Sequence, residues 1–143
     1  MKYLEARGDT SRKGKVVLLL TVDKNKTPHV TLLSLWEVLA KNRREILTAT
    51  YPDSSTTKNI HDNGGGTLVV VDKGMTYYVK GSITPLRMVG KSEAQIAISL
   101  LTVSQVLEDK MAGANIDTGV TFSEKVEHKQ HKLAMRGLLK ASR

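Results

Sequence analysis

The segment 48–60, Thr-Ala-Thr-Tyr-Pro-Asp-Ser-Ser-Thr-Thr-Lys-Asn-Ile, concentrates the residues best suited to holding an anion. Four consecutive hydroxyl side chains, Ser54, Ser55, Thr56 and Thr57, run directly into Lys58. Asp53, Ser54 and Ser55 are all N-cap residue types, so a short helix is predicted to open here and to end at Gly64-Gly65-Gly66. The N–H groups of a helix's first turn lack intrahelical acceptors and carry partial positive charge, which suits a phosphate. The hydroxyls would add neutral donors, and Lys58 a full charge. A capped helix beside a solvated loop accounts for the same composition, so both readings stand on residue types alone. The glycine run matches neither a phosphate loop nor a dinucleotide fingerprint, because no Gly-Lys-Ser/Thr and no strand–glycine–helix register surrounds it.

Other chemistries are narrowed by what is missing. There is no cysteine, which removes disulfides, thiolate zinc sites, iron–sulfur clusters and a cysteine nucleophile. His128 and His131 fall at i, i+3 on a predicted helix, a spacing that can bind zinc. Lys129 and Lys132 surround them and His61 stands far off in sequence, so a third ligand is missing and no metal site is expected. His29 would titrate near neutrality as a base, but no carboxylate stands close to it in sequence. The aromatic fraction of 4% leaves few platforms for stacking nucleobases. Trp36, the only tryptophan, is read as a packing residue, and Tyr77 and Tyr78 alternate across a strand.

Lys and Arg number 22 against 14 Asp and Glu, a net charge of +8 over 143 residues. This excludes an acidic calcium buffer and keeps anionic partners open. Cations gather at both ends: Lys2, Arg7, Arg12, Lys13 and Lys15, then Lys125, Lys129, Lys132, Arg136, Lys140 and Arg143. Such ends can neutralise nucleic-acid phosphates without reading sequence, but no nucleic-acid motif accompanies them, which favours a solvated face. No signal-peptide run and no stretch near the ~20 apolar residues of a membrane span is present, so a cytoplasmic protein without membrane attachment is expected.

The elements that would position the 48–60 segment are strands. Val16–Val22 is a continuous apolar run, as in a strand buried on both faces. A polar turn at 23–27 leads to a strand over 29–38, with Pro28 at its first position. After a turn at 40–44 come strands at 45–51, 67–72 and 75–87. Ser92 reads as an N-cap, and Ile96, Leu100, Val103 and Leu107 share a helical face, which predicts a helix over 92–111 stopped by Gly113. Residues 119–122 are a candidate closing strand, and 127–140 is helical in pattern. Short hairpin connections imply an antiparallel sheet, and strands of this number close best as a small barrel. The expected fold is therefore mainly β: a Greek-key-like, six-stranded antiparallel barrel with flanking helices. It forms a single domain over 1–143, with the barrel at about 15–126 and a basic helical tail at about 127–143.

The order of these pieces resembles the FMN-binding split barrel, the pyridoxamine 5'-phosphate oxidase-like family. The resemblance is carried by Thr27-Pro28-His29-Val30 opening the second strand, Leu47-Thr48-Ala49-Thr50, Ser54…Lys58-Asn59-Ile60, and Tyr78-Val79-Lys80-Gly81-Ser82. It covers roughly residues 15–87. It implies a flavin at a homodimer interface, with Ser54, Ser55, Thr56, Thr57 and Lys58 on the phosphate, and His29, Val30, Thr31, Thr48, Ala49 and Thr50 along the ring. Members usually place a basic residue about three positions before the Asn, where this chain has Thr56 and keeps its loop cation at Lys58. FMN is the implied cofactor, with a deazaflavin, haem or no cofactor as alternatives. The implied activity is that of a small FMN-dependent oxidoreductase of unknown substrate and electron donor. No counterpart of the family's B6-substrate arginine and histidine motif is seen, since His131 and Arg136 are too far apart. Two other readings remain: a non-enzymatic basic β-barrel binding nucleic acid, and a flavin or haem carrier.

Overall fold

In the computed structural model, residues 2–5, 14–123 and 129–143 are described. A short N-terminal helix, α1 (Lys2–Glu5), precedes β1 (Val16–Val22), β2 (Pro28–Ser34), β3 (Val38–Ala40) and β4 (Glu45–Thr50). Then follow α2 (Ser55–Asp62), β5 (Gly65–Asp72), β6 (Met75–Lys91), β7 (Ala94–Glu108) and α3 (Lys129–Ala141).

β1 and β2 form a hairpin whose turn has no glycine. The Asp23 carboxylate takes that role, its Oδ1 accepting from the N–H of Asn25 at 2.8 Å and of Thr27 at 2.9 Å. Lys26 carries the positive φ, 63°, that the turn requires. Pro28 sits at the first position of β2, opposite Val22, where its missing N–H costs least.

The strand expected over 29–38 is broken at Leu35–Glu37. Glu37 makes the corner: its Oε2 accepts from the Ser34 N–H at 2.7 Å and from the Ser34 hydroxyl at 2.9 Å. Its own N–H donates to the Ser34 carbonyl at 2.9 Å. This corner closes the molecule. The seven strands lie in the order β2-β1-β5-β6-β7-β4-β3, so β2 and β3 occupy opposite ends of one antiparallel sheet. Only Leu35–Glu37 joins those ends, and the sheet must curl until they meet.

The helix expected over 92–111 is instead β7, and with the division of 29–38 this makes seven strands rather than six. Lys91 pairs with Ala94, leaving Ser92 and Glu93 as a two-residue turn, while Gly90 holds φ 101°. The apolar spacing misled because this strand is covered on both faces. Leu101 and Val103 join the barrel interior; Ile96, Ile98 and Leu100 join a second cluster under α3. A strand buried on two sides loses its alternation, and the β-branched Ile96, Ile98, Thr102, Val103 and Val106 are the residues that favour it over a helix.

Two apolar cores result. Inside the barrel, Val17, Leu19, Leu33, Ile46, Leu68, Val79, Ile83 and Leu101 pack together with Ile60 from α2. Outside, Leu39, Leu47, Ala49, Ile96 and Ile98 receive Ala134 and Leu138 of α3. Gly137 lets the helix lie close, since a Cβ there would stand 2.9 Å from Cγ2 of Val89. The candidate strand at 119–122 forms only a bridge between Lys15 and Thr121, flanked by Val16 N–H to Val120 carbonyl at 3.2 Å and Phe122 N–H to Gly14 carbonyl at 2.8 Å.

Candidate functional site

α2 leaves β4 through a turn stitched by its own hydroxyls. Ser54 is the N-cap, in extended conformation, and its Oγ accepts from the Thr57 N–H at 3.2 Å. The Tyr51 carbonyl accepts from the Ser54 hydroxyl at 2.8 Å and from the Thr57 hydroxyl at 2.6 Å. Thr57 Oγ1 also lies 2.7 Å from Thr50 Oγ1. The helix is then fastened to the β1–β2 hairpin. Asn59 Nδ2 donates to the buried Thr21 hydroxyl at 3.1 Å, and Asn63 Nδ2 donates to the Val22 carbonyl at 3.0 Å.

Between hairpin and helix lies a polar cleft of about 310 Å³, lined among others by Thr27, His29, Ser55, Lys58 and Asn59. Lys24 adds a cation, while Asp23 and Asp62 supply the opposing charge. Asp23 is already occupied with the hairpin turn. The cleft therefore offers an ammonium, an imidazole and a hydroxyl beside the first turn of a helix, whose opening N–H groups have no intrahelical acceptors.

The residues expected to act together are divided by the fold. His29, Ser55 and Lys58 share the cleft. Thr31 lies on the same inward face of β2, next to the core residue Leu33, whereas Val30 points outward and is 51% exposed. Thr48 and Thr50 share the inward face of β4 with Ile46 and are buried, and Ala49 belongs to the cluster under α3. Ser54 and Thr57 are engaged in the turn. Thr56 is buried beneath the helix, and among the described residues its Oγ1 has no hydrogen-bond partner, as is true of Thr48 Oγ1. Asn59 and Asp23, which place the cleft's two walls, were not among the expected site residues, although Asn59 belongs to the Lys58-Asn59-Ile60 piece of the resemblance; an Asp at a turn lacking glycine is the signal for the second. Tyr51 stands where β4 meets the corner, and burial, followed by the charge of Glu37, raises its phenol above the ordinary value.

No family model matches the sequence. YclD of Bacillus subtilis (strain 168), an uncharacterized protein, is 28% identical over 109 residues, covering 76% of this chain and 71% of YclD. Among solved structures, HupZ of Group A Streptococcus matches with a TM-score of 0.56 at 16% identity, over 73% of this chain and 90% of HupZ. An F420 reductase matches at 0.53 and 16% identity, over 71% and 98% of the two chains. An FMN-binding protein from Syntrophomonas wolfei matches at 0.50 and 13% identity, over 66% and 77%. The fold is that of the pyridoxamine 5'-phosphate oxidase-like split barrels.

The split barrel's outer face carries a row of apolar residues in strand register. Leu32 of β2 stands opposite Leu18 of β1, Leu18 opposite Val69 of β5, Val69 opposite Tyr78 of β6, and Tyr78 opposite Leu107 of β7. Leu32 is 60% exposed, and Val30 and Leu107 are also exposed. Elsewhere on the split barrel, Lys132, Arg136 and Lys140 form an exposed stripe along α3. His131 meets Phe122 edge-on, with ring centroids 6.5 Å apart, and His128 lies outside the described residues. Among the described residues, no group of three metal-ligating side chains occurs, and no helix is long and apolar enough to cross a membrane.

Proposed function

We propose that this chain is a cytoplasmic FMN-binding flavoprotein, a small oxidoreductase that holds the flavin at a homodimer interface. The observation that carries the reading is the convergence of His29, Ser55 and Lys58 on one cleft beside the start of α2. The donor set fits a phosphate. Lys58 neutralises charge, the Ser55 hydroxyl and the first N–H groups of α2 donate hydrogen bonds, and His29 closes the opposite wall. Thr56, whose buried hydroxyl has no partner among the described residues, stands directly beneath that turn. Val30, Thr31, Thr48, Ala49 and Thr50 belong in this reading to the two strands flanking the ring. When bound, a flavin supplies the hydride or electron transfer; the chain binds, orients and shields it.

The homodimer is supported by the outward apolar row from Leu32 to Leu107. Contiguous apolar surface of this kind marks an interaction face, and a second copy would remove it from water.

The test is the visible spectrum of the purified protein before and after adding FMN, with size-exclusion chromatography alongside. The expected result is flavin absorbance that co-elutes with a dimer and is lost when Ser55 and Lys58 are both changed to alanine. A colourless protein that takes up no FMN overturns the reading. The cleft recognises phosphate rather than ring, and an F420 reductase shares the fold, so a deazaflavin is the second reading. Uptake of a phosphorylated deazaflavin in preference to FMN would select it.

A further inference from the structure

α3 buries one side and presents cations on the other. Ala134, Gly137 and Leu138 are buried against the sheet, whereas Lys132, Arg136 and Lys140 are exposed. At about 100° per residue these three fall within an arc of about 80°, and each stands ~6 Å from the next along the helix axis. The arc borders β6. A Cβ at Gly90 would stand 3.0 Å from Cδ2 of Leu133, and one at Gly137 2.9 Å from Cγ2 of Val89, so Leu133 and Gly137 mark the side of the helix that meets this strand. Arg136 and Lys140 lie within about 60° of Leu133 around the helix.

β6 adds to the same surface. Arg87, Val89 and Lys91 alternate onto one face of the strand, opposite Ile98, Ile96 and Ala94 of β7. Val89, Ile96 and Ile98 belong to the cluster under α3, so Arg87 and Lys91 emerge on the α3 side, and both are exposed. Five cations from two elements thus share one surface. Residues 129–143 contain no Asp or Glu, and Arg87, Lys91, Arg136 and Lys140 form no ion pair among the described residues. On the adjoining elements, Glu45 is taken up by Lys41 at 3.5 Å and Glu93 sits in the β6–β7 turn. Like charges one turn apart on a helix repel, so such a row costs stability until an anion answers it.

We propose that this surface binds duplex nucleic acid through its phosphates, without reading base sequence. Regularly spaced cations match a regularly charged polyanion, and each phosphate they neutralise releases counterions. A duplex is the partner, and not a single strand, because residues 85–91 and 129–143 contain no Phe, Trp or Tyr on which a base could stack. A membrane surface fits less well: α3 spends its apolar side on the sheet and has none to insert. The surface shares no residue with the cleft beside α2, so it acts with or without a flavin.

The experiment uses the full chain and a fluorescein-labelled DNA duplex of about 20 base pairs, followed by anisotropy between about 50 and about 200 mM salt. A Kd of ~10 µM or tighter is expected at the lowest salt, with log K falling on log salt at a slope of about −4. Arg136→Gln with Lys140→Gln, and separately Arg87→Gln with Lys91→Gln, should each weaken binding by ~10-fold or more and make that slope shallower by ~2. All four residues are exposed, so both variants will fold. Arg136→Lys should bind as the parent does, because charge and not the guanidinium fork is read. Lys26→Gln with Lys73→Gln removes as much charge from the turns of two other hairpins and should leave the slope unchanged. The proposal is overturned by the absence of saturable binding up to ~100 µM protein, by indifference to either the α3 or the β6 variant, or by equal loss in the Lys26 and Lys73 variant. It is also overturned by capture on phosphatidylserine vesicles without duplex binding, which would assign the surface to a membrane.

Discussion

The two flanks of α2 are built from neighbouring residues and differ in almost every respect. Toward the β1–β2 hairpin the helix presents Ser55, Lys58 and Asp62, and side-chain amides of Asn59 and Asn63 tie it to β1 and its turn. Toward β6 and β7 it presents Thr57 and His61, against a wall that is largely apolar. Thr56 and Ile60 point down into the barrel. Helical rotation of about 100° per residue is enough to give four consecutive hydroxyls four different fates. Ser54 caps, Ser55 lines the cleft, Thr56 is buried, and Thr57 ties the helix to Tyr51 and Thr50. Proximity in sequence is thus a poor guide to proximity in a site when the segment is helical.

The largest way to break this comparison is to remove the support that both flanks share. Ile60 is 2% exposed and sits in the barrel cluster. Ile60→Ala should cost ~2–5 kcal/mol of stability by leaving a cavity under the helix. Denaturant unfolding should show that loss, and FMN titration a weakened cleft. Parental FMN affinity in the destabilised variant would show that the cleft does not depend on this anchor.

Asn59→Ala should act on one flank. It removes the amide that reaches the buried Thr21 hydroxyl and leaves that hydroxyl without a donor, at ~1–3 kcal/mol in denaturant unfolding. The cleft wall is released and FMN affinity falls, while β6, the wall of the other flank, keeps Arg87 and Lys91 in place and duplex affinity stays parental. Equal weakening of both ligands would contradict the separation.

Lys58→Ala removes charge without disturbing packing, because Lys58 is exposed. Stability should stay within ~0.5 kcal/mol of the parent. FMN affinity should fall ~10-fold or more, the loss of one charge-assisted contact, with duplex binding unaffected. Titration with both ligands checks this.

How much of this was legible beforehand follows from which interactions are local. β1 and β4 were readable because apolar, β-branched runs are bounded by polar turns, and α2 because its cap residue precedes it. The corner at Leu35–Glu37 was not, since Leu35 and Trp36 continue the apolar pattern and the turn is made by one carboxylate folding back on Ser34. β7 was misread because two cores bury it from opposite sides. Of the site, Ser55, Lys58 and His29 were legible as residue types, but their meeting depends on Asn59 and Asp23. The cations of α3 were legible as a basic tail, but Arg87 and Lys91 were not legible as their neighbours, since only strand register brings them to the α3 face.

A control lies away from both flanks. Asp72, at the end of β5, is paired with Lys15 and accepts from the Lys73 N–H at 2.8 Å. Burial alone would raise its pKa, but the contacts with Lys15, Lys73 and Tyr3 outweigh that and hold the carboxyl below its ordinary value. The sign follows from the linkage of proton binding to folding. A carboxyl with a depressed folded pKa contributes stability above its unfolded value, ~3.9, and that contribution fades as pH falls through the lower folded value. Thermal stability of the parent should therefore fall more steeply below about pH 4 than that of Asp72→Asn, which has no proton to take up. Asp72 touches neither flank of α2, so at neutral pH the substitution should leave FMN affinity at its parental value. A change in that affinity would mean that the far end of the barrel is coupled to α2, and the two flanks would then have to be treated as parts of one responsive unit rather than as independent surfaces.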